Sequence, residues 1–235
     1  IAHKPCSWLN TASLSPGQPT RLDPISTDQS HNLFKTAIAN DPSSPDAFIS
    51  LAYVLIDNGQ MSQALAYLQP LMTKGYQDAR LFHCYGYLLG QQGQNEAALQ
   101  QLEQACLLEP SNAELWFHKA LLLTRLRQYD PAHRAIREAL KRRANNADSW
   151  LALGLLLRKL GDPDAAIAAF DKALALSPSQ PLAFFHQAGC YAILGRDDWA
   201  IEHLRRAISL DAETYLPKAR QDPILKSLHS AVLVA

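Results

Sequence analysis

Histidine and cysteine are the side chains here best suited to hold a metal or pass a proton, so their spacing is the first test for chemistry. The eight histidines are His3, His31, His83, His118, His133, His186, His203 and His229. No two stand one helical turn apart as a ligand pair, and none has a cysteine partner at zinc spacing. Cys6, Cys84, Cys106 and Cys190 are far apart in the chain. Three of them fall in predicted helices, where a free thiol acts as a small apolar side chain, and this usage fits a reducing, cytoplasmic compartment. There is no phosphate-cradling glycine loop, no Gly-x-Ser-x-Gly, and no carboxylate pair that stands apart from helix-surface charge. The reading is therefore of a non-enzyme with no catalytic residue, no metal site and no cofactor.

The order that does exist is structural. One pattern returns every 34 residues, five times without insertion or deletion, over 45–78, 79–112, 113–146, 147–180 and 181–214. An aromatic opens each repeat (Phe48, Phe82, Trp116, Trp150, Phe184), and a small residue follows four later (Ala52, Gly86, Ala120, Gly154, Ala188). Alanine recurs at Ala64, Ala98, Ala132, Ala166 and Ala200, then a large apolar residue at Leu68, Leu102, Ile136, Phe170 and Leu204.

In the fourth repeat Trp150, Leu153, Gly154, Leu157 and Leu160 have the i, i+3, i+4, i+7 spacing of one helix face. Gly161-Asp162-Pro163 then predicts a left-handed cap, an N-cap and a first helical turn, so a second helix runs to about Leu176. Small residues such as Gly154 and Ala166 belong where the two helices cross, and Trp150 and Phe170 fill the space between pairs. Proline at Pro70 predicts a kinked or shortened second helix in the first repeat. Arg127 stands where the other turns have Gly59, Gly93, Gly161 and Gly195, and Asp130-Pro131 predicts a delayed start for the next helix.

The five in-phase repeats resemble the tetratricopeptide repeat family, whose unit of about 34 residues is helix, turn, helix. The resemblance implies an all-α fold, a right-handed α-solenoid of antiparallel helix pairs. No repeat buries its apolar surface alone, so arrays need several repeats and a cap. Residues 26–44, with Leu33, Phe34, Ala37 and Ile38 on one face, read as a lone second helix in the same phase. Residues 215–235 read as a capping helix and tail, with helix from Leu216 to His229 started or divided at Pro223. Residues 1–25, rich in proline and serine, read as an arm or linker.

Formal charge is zero, with 22 basic and 22 acidic side chains, which gives no bulk attraction to nucleic acid or anionic membrane. The distribution is uneven: the first two repeats carry net −4 and the third net +5. Lys141-Arg142-Arg143 ends a helix and reads as solvated surface. No apolar run approaches the roughly 20 residues of a membrane span. The chain opens on Ile1, which suggests a fragment or a processed product.

In the resembled family the first helix of each pair lines a concave wall where ligands lie. Carried over by phase, that implies a partner-binding strip of Ile49, Tyr53, His83, Tyr87, Gln91, Phe117, Leu121, Arg125, Leu151, Leu155, Arg158, Lys159 and Phe185. The lysine and asparagine clamp that some members use for a terminal carboxylate is absent, since those places hold Ile49, Tyr53, Cys84, Glu114 and His118. The implied partner is a protein or peptide, an extended segment or amphipathic helix with apolar anchors and acidic flanks to meet Arg125 and Arg158. Two alternatives stand beside this scaffold reading: the recruiting region of a longer enzyme or regulator, and self-association through the strip.

Overall fold

A computed structural model describes residues 27–41, 44–226 and 228; the arm read into residues 1–25 lies outside them. The described residues form twelve α-helices and no strand. They fall into two compact units that divide between Leu126 and Arg127.

The first unit contains α1 (Thr27–Asn40), α2 (Pro45–Asp57), α3 (Met61–Thr73), α4 (Ala79–Gln91), α5 (Asn95–Leu108) and α6 (Ala113–Arg125). Each packs on the next, and α2 also touches α4. The second unit contains α7 (Tyr129–Arg142), α8 (Ala147–Leu160), α9 (Pro163–Leu176), α10 (Pro181–Ile193), α11 (Asp197–Leu210) and α12 (Ala212–Gln221). Successive helices again pack together, and α8 touches α10. The first helix of each repeat starts at 45, 79, 113, 147 or 181, and the second at 61, 95, 129, 163 or 197, so both keep the 34-residue stride.

Local chemistry sets these boundaries. Asp78, Asn112 and Asn146, at equivalent positions, cap α4, α6 and α8 by accepting from backbone N–H groups of their first turns. Trp116 and Trp150 donate their indole N–H six residues back, to the carbonyls of Pro110 at 2.9 Å and Ala144 at 2.7 Å. Each tryptophan thereby pins the loop that leads into its helix. The turn between the helices of every repeat contains one residue of positive φ, at Gly59, Gly93, Arg127, Gly161 and Gly195. Arg127 takes the glycine conformation at φ 59.

A left-handed non-glycine residue is strained by about 1–2 kcal/mol, and glycine returns part of that as unfolded-state entropy. Arg127→Gly is therefore expected to stabilise the chain by about 0.5–1 kcal/mol. A raised urea midpoint with unchanged m-value is the expected reading; a lowered midpoint contradicts the strain.

The small and large positions interlock as their sizes require. A Cβ built on Gly154 would lie 2.5 Å from the Phe170 ring, and one on Gly86 would lie 3.1 Å from the Ala98 carbonyl. The ring of Phe170 thus occupies the space that any side chain at Gly154 would need. In the first unit Ala79, Phe82, Ala105, Cys106 and Leu115 form one buried cluster, with Met72 and Trp116 against it.

Two expectations need correction, both at prolines, and a third at a proline holds. Pro131 does not delay α7, which starts in phase at Tyr129. It sits in the first turn, where a backbone donor has no intrahelical partner to lose. At Pro70 the expected shortening holds: α3 passes through the proline to Thr73 and stops one residue short of the phase kept by the other second helices. The terminal helix begins earlier than expected, at Ala212, because Asp211 caps it by accepting from the Thr214 N–H at 3.0 Å. It runs through Pro217 and ends at Gln221, so Pro223 falls in the turn that follows. The expected helix up to His229 is absent among the described residues, and the rest of that tail lies outside them.

Candidate functional site

The first helices of the repeats carry the expected strip, and two linked polar constellations lie on them, one in each unit. In the first unit the Tyr53 hydroxyl lies 3.2 Å from Nδ1 of His83, whose Nε2 lies 2.5 Å from Nδ1 of His118. The two imidazoles stack at 4.7 Å between centroids. One proton fills each gap, in either direction along the row, and both rings are neutral. Burial drives His83 down to about 4, and burial followed by the charge of His83 holds His118 well below the usual imidazole range. Tyr53, His83 and His118 come from α2, α4 and α6, so this row ties three successive first helices together.

Arg125, expected to meet a ligand, donates to the Gly90 carbonyl at 3.1 Å. It thereby satisfies a carbonyl in the last turn of α4, where a cation is favoured by the helix dipole. Beside the row, Tyr53, His83, Arg80, Glu109 and Glu114 border a cleft of about 230 Å³. Arg80 is ion-paired there with both Asp46 and Asp78.

In the second unit Arg158 reaches from α8 to Nδ1 of His186 on α10, at 3.0 Å. Because a guanidinium only donates, Nδ1 accepts and the ring proton is on Nε2. The guanidinium lies over Gly189, where a Cβ would be 3.4 Å from it. Burial, then Arg158, Lys218 and Lys159 in turn, push His186 down to about 3. The His186 ring stacks on Phe170 at 6.2 Å and meets Phe185 edge-on, and Phe185 contacts the buried Tyr215 at 5.3 Å.

The thirteen strip residues divide by exposure. Ile49, His83, Tyr87, Leu121, Leu151 and Phe185 are buried, Ile49 and Leu151 to 1% exposure. Tyr53, Phe117, Leu155 and Arg158 are half-buried, and Gln91, Arg125 and Lys159 are exposed. The six buried positions therefore do not offer free side chains. Direct packing of α2 on α4 and of α8 on α10 closes much of this side of the helices. The spacing of the histidines along the chain does not by itself announce the His83–His118 link. The signal was the 35-residue offset, since Gly90 and Arg125 meet across first helices at the same offset.

Among the described residues no group of three or more His, Cys, Asp or Glu side chains could hold a metal, and no helix is long and apolar enough to cross a membrane. Cys84, Cys106 and Cys190 are buried and outside any disulfide among the described residues, and burial pushes Cys190 up to about 11, which disfavours the reactive thiolate.

Comparison with known families agrees with this geometry. One tetratricopeptide repeat profile matches residues 119–181 and 151–214, another matches 26–83, and a TPR repeat profile matches 86–126. The chain belongs to the tetratricopeptide repeat family. No curated protein sequence matches it. Among solved structures it is similar to YrrB, described as a TPR protein with an unusual peptide-binding site, at 21% identity and TM-score 0.65 over 78% of this chain and 95% of that one. It is similar to MamA AMB-1 at 26% identity and TM-score 0.64, covering 71% of this chain and 96% of that one. It also resembles a chain of the APC/C hetero-tetramer Cut9-Hcn1 at 20% identity and TM-score 0.71, covering 88% of this chain and 40% of that one. These likenesses support the all-α solenoid fold.

Proposed function

We propose that this chain is a non-enzymatic scaffold that binds a protein or peptide along the exposed parts of its first helices and recruits it to a complex. The observation that carries the reading is the partial exposure of three apolar side chains, Tyr53, Phe117 and Leu155, on helices whose opposite faces are packed. Aromatic side chains of this kind dominate binding hot spots because they desolvate a large area at low entropic cost. Gln91 and Arg125 on α4 and α6 of the first unit, and Arg158 and Lys159 on α8 of the second, supply polar and cationic groups suited to carboxylates that flank an apolar anchor. Family membership and the description of YrrB as a peptide-binding TPR protein support the same role.

The test is affinity capture with the parent chain and with the combined variant Tyr53→Ala/Phe117→Ala/Leu155→Ala. Hot-spot truncations of about 2 kcal/mol or more predict that partners are lost by at least about thirtyfold in affinity while helix content by circular dichroism is unchanged. Equal capture by both chains rejects the first-helix face as the site. A parent mass that rises with concentration in light scattering, and stays monomeric in the variant, assigns the face to self-association instead.

A further inference from the structure

A second surface lies on the other side of the helix pairs. Between α7 and α8, within the second unit, is an open groove of about 860 Å³. Leu140, Leu153 and Trp150 contribute apolar surface to its lining, and His133, Arg134, Arg137 and Lys141 contribute basic groups. Arg134, Arg137 and Lys141 are exposed, and none forms an ion pair with a carboxylate among the described residues. The one carboxylate in the lining, Glu138, is bonded to Arg142 at 2.5 Å.

The repeat does not require these cations. At the positions of Arg134, Arg137 and Lys141 the other repeats have Ala66, Gln69 and Thr73, then Gln100, Glu103 and Leu107, then Ala168, Asp171 and Ala175, then Glu202, Arg205 and Ser209. Only one of those twelve is basic. At the position of His133 the others have Leu65, Leu99, Ile167 and Ile201, so an aliphatic filler is replaced here by a polar ring beside the groove. Helix packing explains the aliphatic residues and leaves the basic ones unaccounted for.

We infer that the α7/α8 groove docks an acidic protein segment that carries an apolar anchor. Its volume is in the range that encloses a short run of side chains rather than a single ion. The half-buried Trp150, with the edges of the largely buried Leu140 and Leu153 beside it, would desolvate the anchor, and Arg134, Arg137 and Lys141 would meet carboxylates on either side of it. The apolar lining favours a peptide over a nucleic acid. The indole N–H of Trp150 is already bonded to the Ala144 carbonyl, so it is not offered to a base edge. None of the residues assigned to the first-helix face takes part, so this surface stands independently of that reading.

The test is fluorescence anisotropy with a labelled peptide that alternates Glu and Asp with Leu and Phe, carrying a photo-cross-linker. Three comparisons accompany it: the same peptide with lysine for its acids, a single-stranded oligonucleotide, and the protein variant Arg134→Gln/Arg137→Gln/Lys141→Gln. Exposed arginine and lysine to glutamine changes leave the fold intact, as thermal unfolding will verify. The expected result is binding of the acidic peptide alone, cross-linking into α7 and α8, weakening by added salt, and at least about a tenfold loss in the triple variant. The Tyr53→Ala/Phe117→Ala/Leu155→Ala variant should bind this probe as the parent does. No binding of the acidic peptide, equal binding of the lysine peptide, or an unchanged triple variant overturns the inference. Binding of the oligonucleotide in place of the peptide assigns the groove to a polyphosphate ligand and overturns it as well.

Discussion

Phe170→Ala is expected to lower stability by about 3–5 kcal/mol, the range for removing a fully buried aromatic from a core. Phe170 has no exposed surface, and its ring edge fills the place of a Gly154 side chain. The same contact makes Gly154→Ala destabilising. A Cβ would stand 2.5 Å from the ring, and overpacking of this kind costs about 1–3 kcal/mol, against a gain near 1 kcal/mol in helix propensity. Phe170→Leu in the Gly154→Ala background should recover part of the loss, because the smaller side chain leaves room for the methyl. A double-mutant cycle by urea denaturation measures that coupling. Repeat arrays can lose two-state behaviour, so hydrogen exchange in α8 and α9 should accompany it. Strictly additive losses would show that the two side chains do not share the space.

Acid is expected to unfold the first unit before the second. His83 has a folded pKa of about 4 against an unfolded value of 6.5, and His118 is lowered as well. A depressed imidazole contributes stability that is complete above the unfolded pKa and is lost as pH falls from 6.5 through the folded value. For His83 the loss is on the order of 3 kcal/mol once pH reaches about 4. His186 behaves alike in the second unit, being lowered to about 3. There, however, burial raises Asp148 to about 6. A carboxyl raised in this way favours the folded state below its unfolded value of 3.8 and loses that contribution as pH rises through about 6. Between these values Asp148 gains stability on acidification while His186 loses it, and the two offset. The first unit has no raised carboxyl among those with a resolved shift. Hydrogen exchange corrected for intrinsic rates should show α4 and α6 opening before α8 and α10 as pH falls from about 7 to about 4.5. His83→Gln/His118→Gln should flatten the pH dependence of the first unit. Earlier opening of the second unit would refute the assignment.

The helix pairs were legible because the repeat encodes them redundantly. The start of α9 at Pro163 is written by a cap glycine, an N-cap aspartate and an N1 proline together, and its end at Leu176 follows from the apolar run. Pro131 misleads when weighed without its position, because it lies in a first turn that loses nothing, whereas Pro70, in a last turn, goes with the one-residue shortening of α3. Arg127 was read as a departure in the turn, but backbone dihedral is a property of the loop that a side chain only biases. The strip was legible as a helical phase and illegible as exposed surface. Phase places Leu151 and Leu155 on the same side, yet Leu151 is buried and Leu155 half-exposed, because the cover comes from other helices. The histidine row was hidden for a related reason. A 34-residue template compares equivalent positions, whereas His83 and His118 are 35 apart and Tyr53 and His83 are 30 apart.

The inter-helix turns discriminate by handedness rather than by size. A Cβ on Gly59, Gly93, Gly161 or Gly195 would meet nothing within 4 Å, so it is the sign of φ alone that disfavours a natural side chain there. A D-amino acid, whose steric map is the mirror image, favours the positive φ of these joints. Chemical synthesis or ligation could therefore place a probe or a staple at each hairpin tip at positions where translation is best served by glycine.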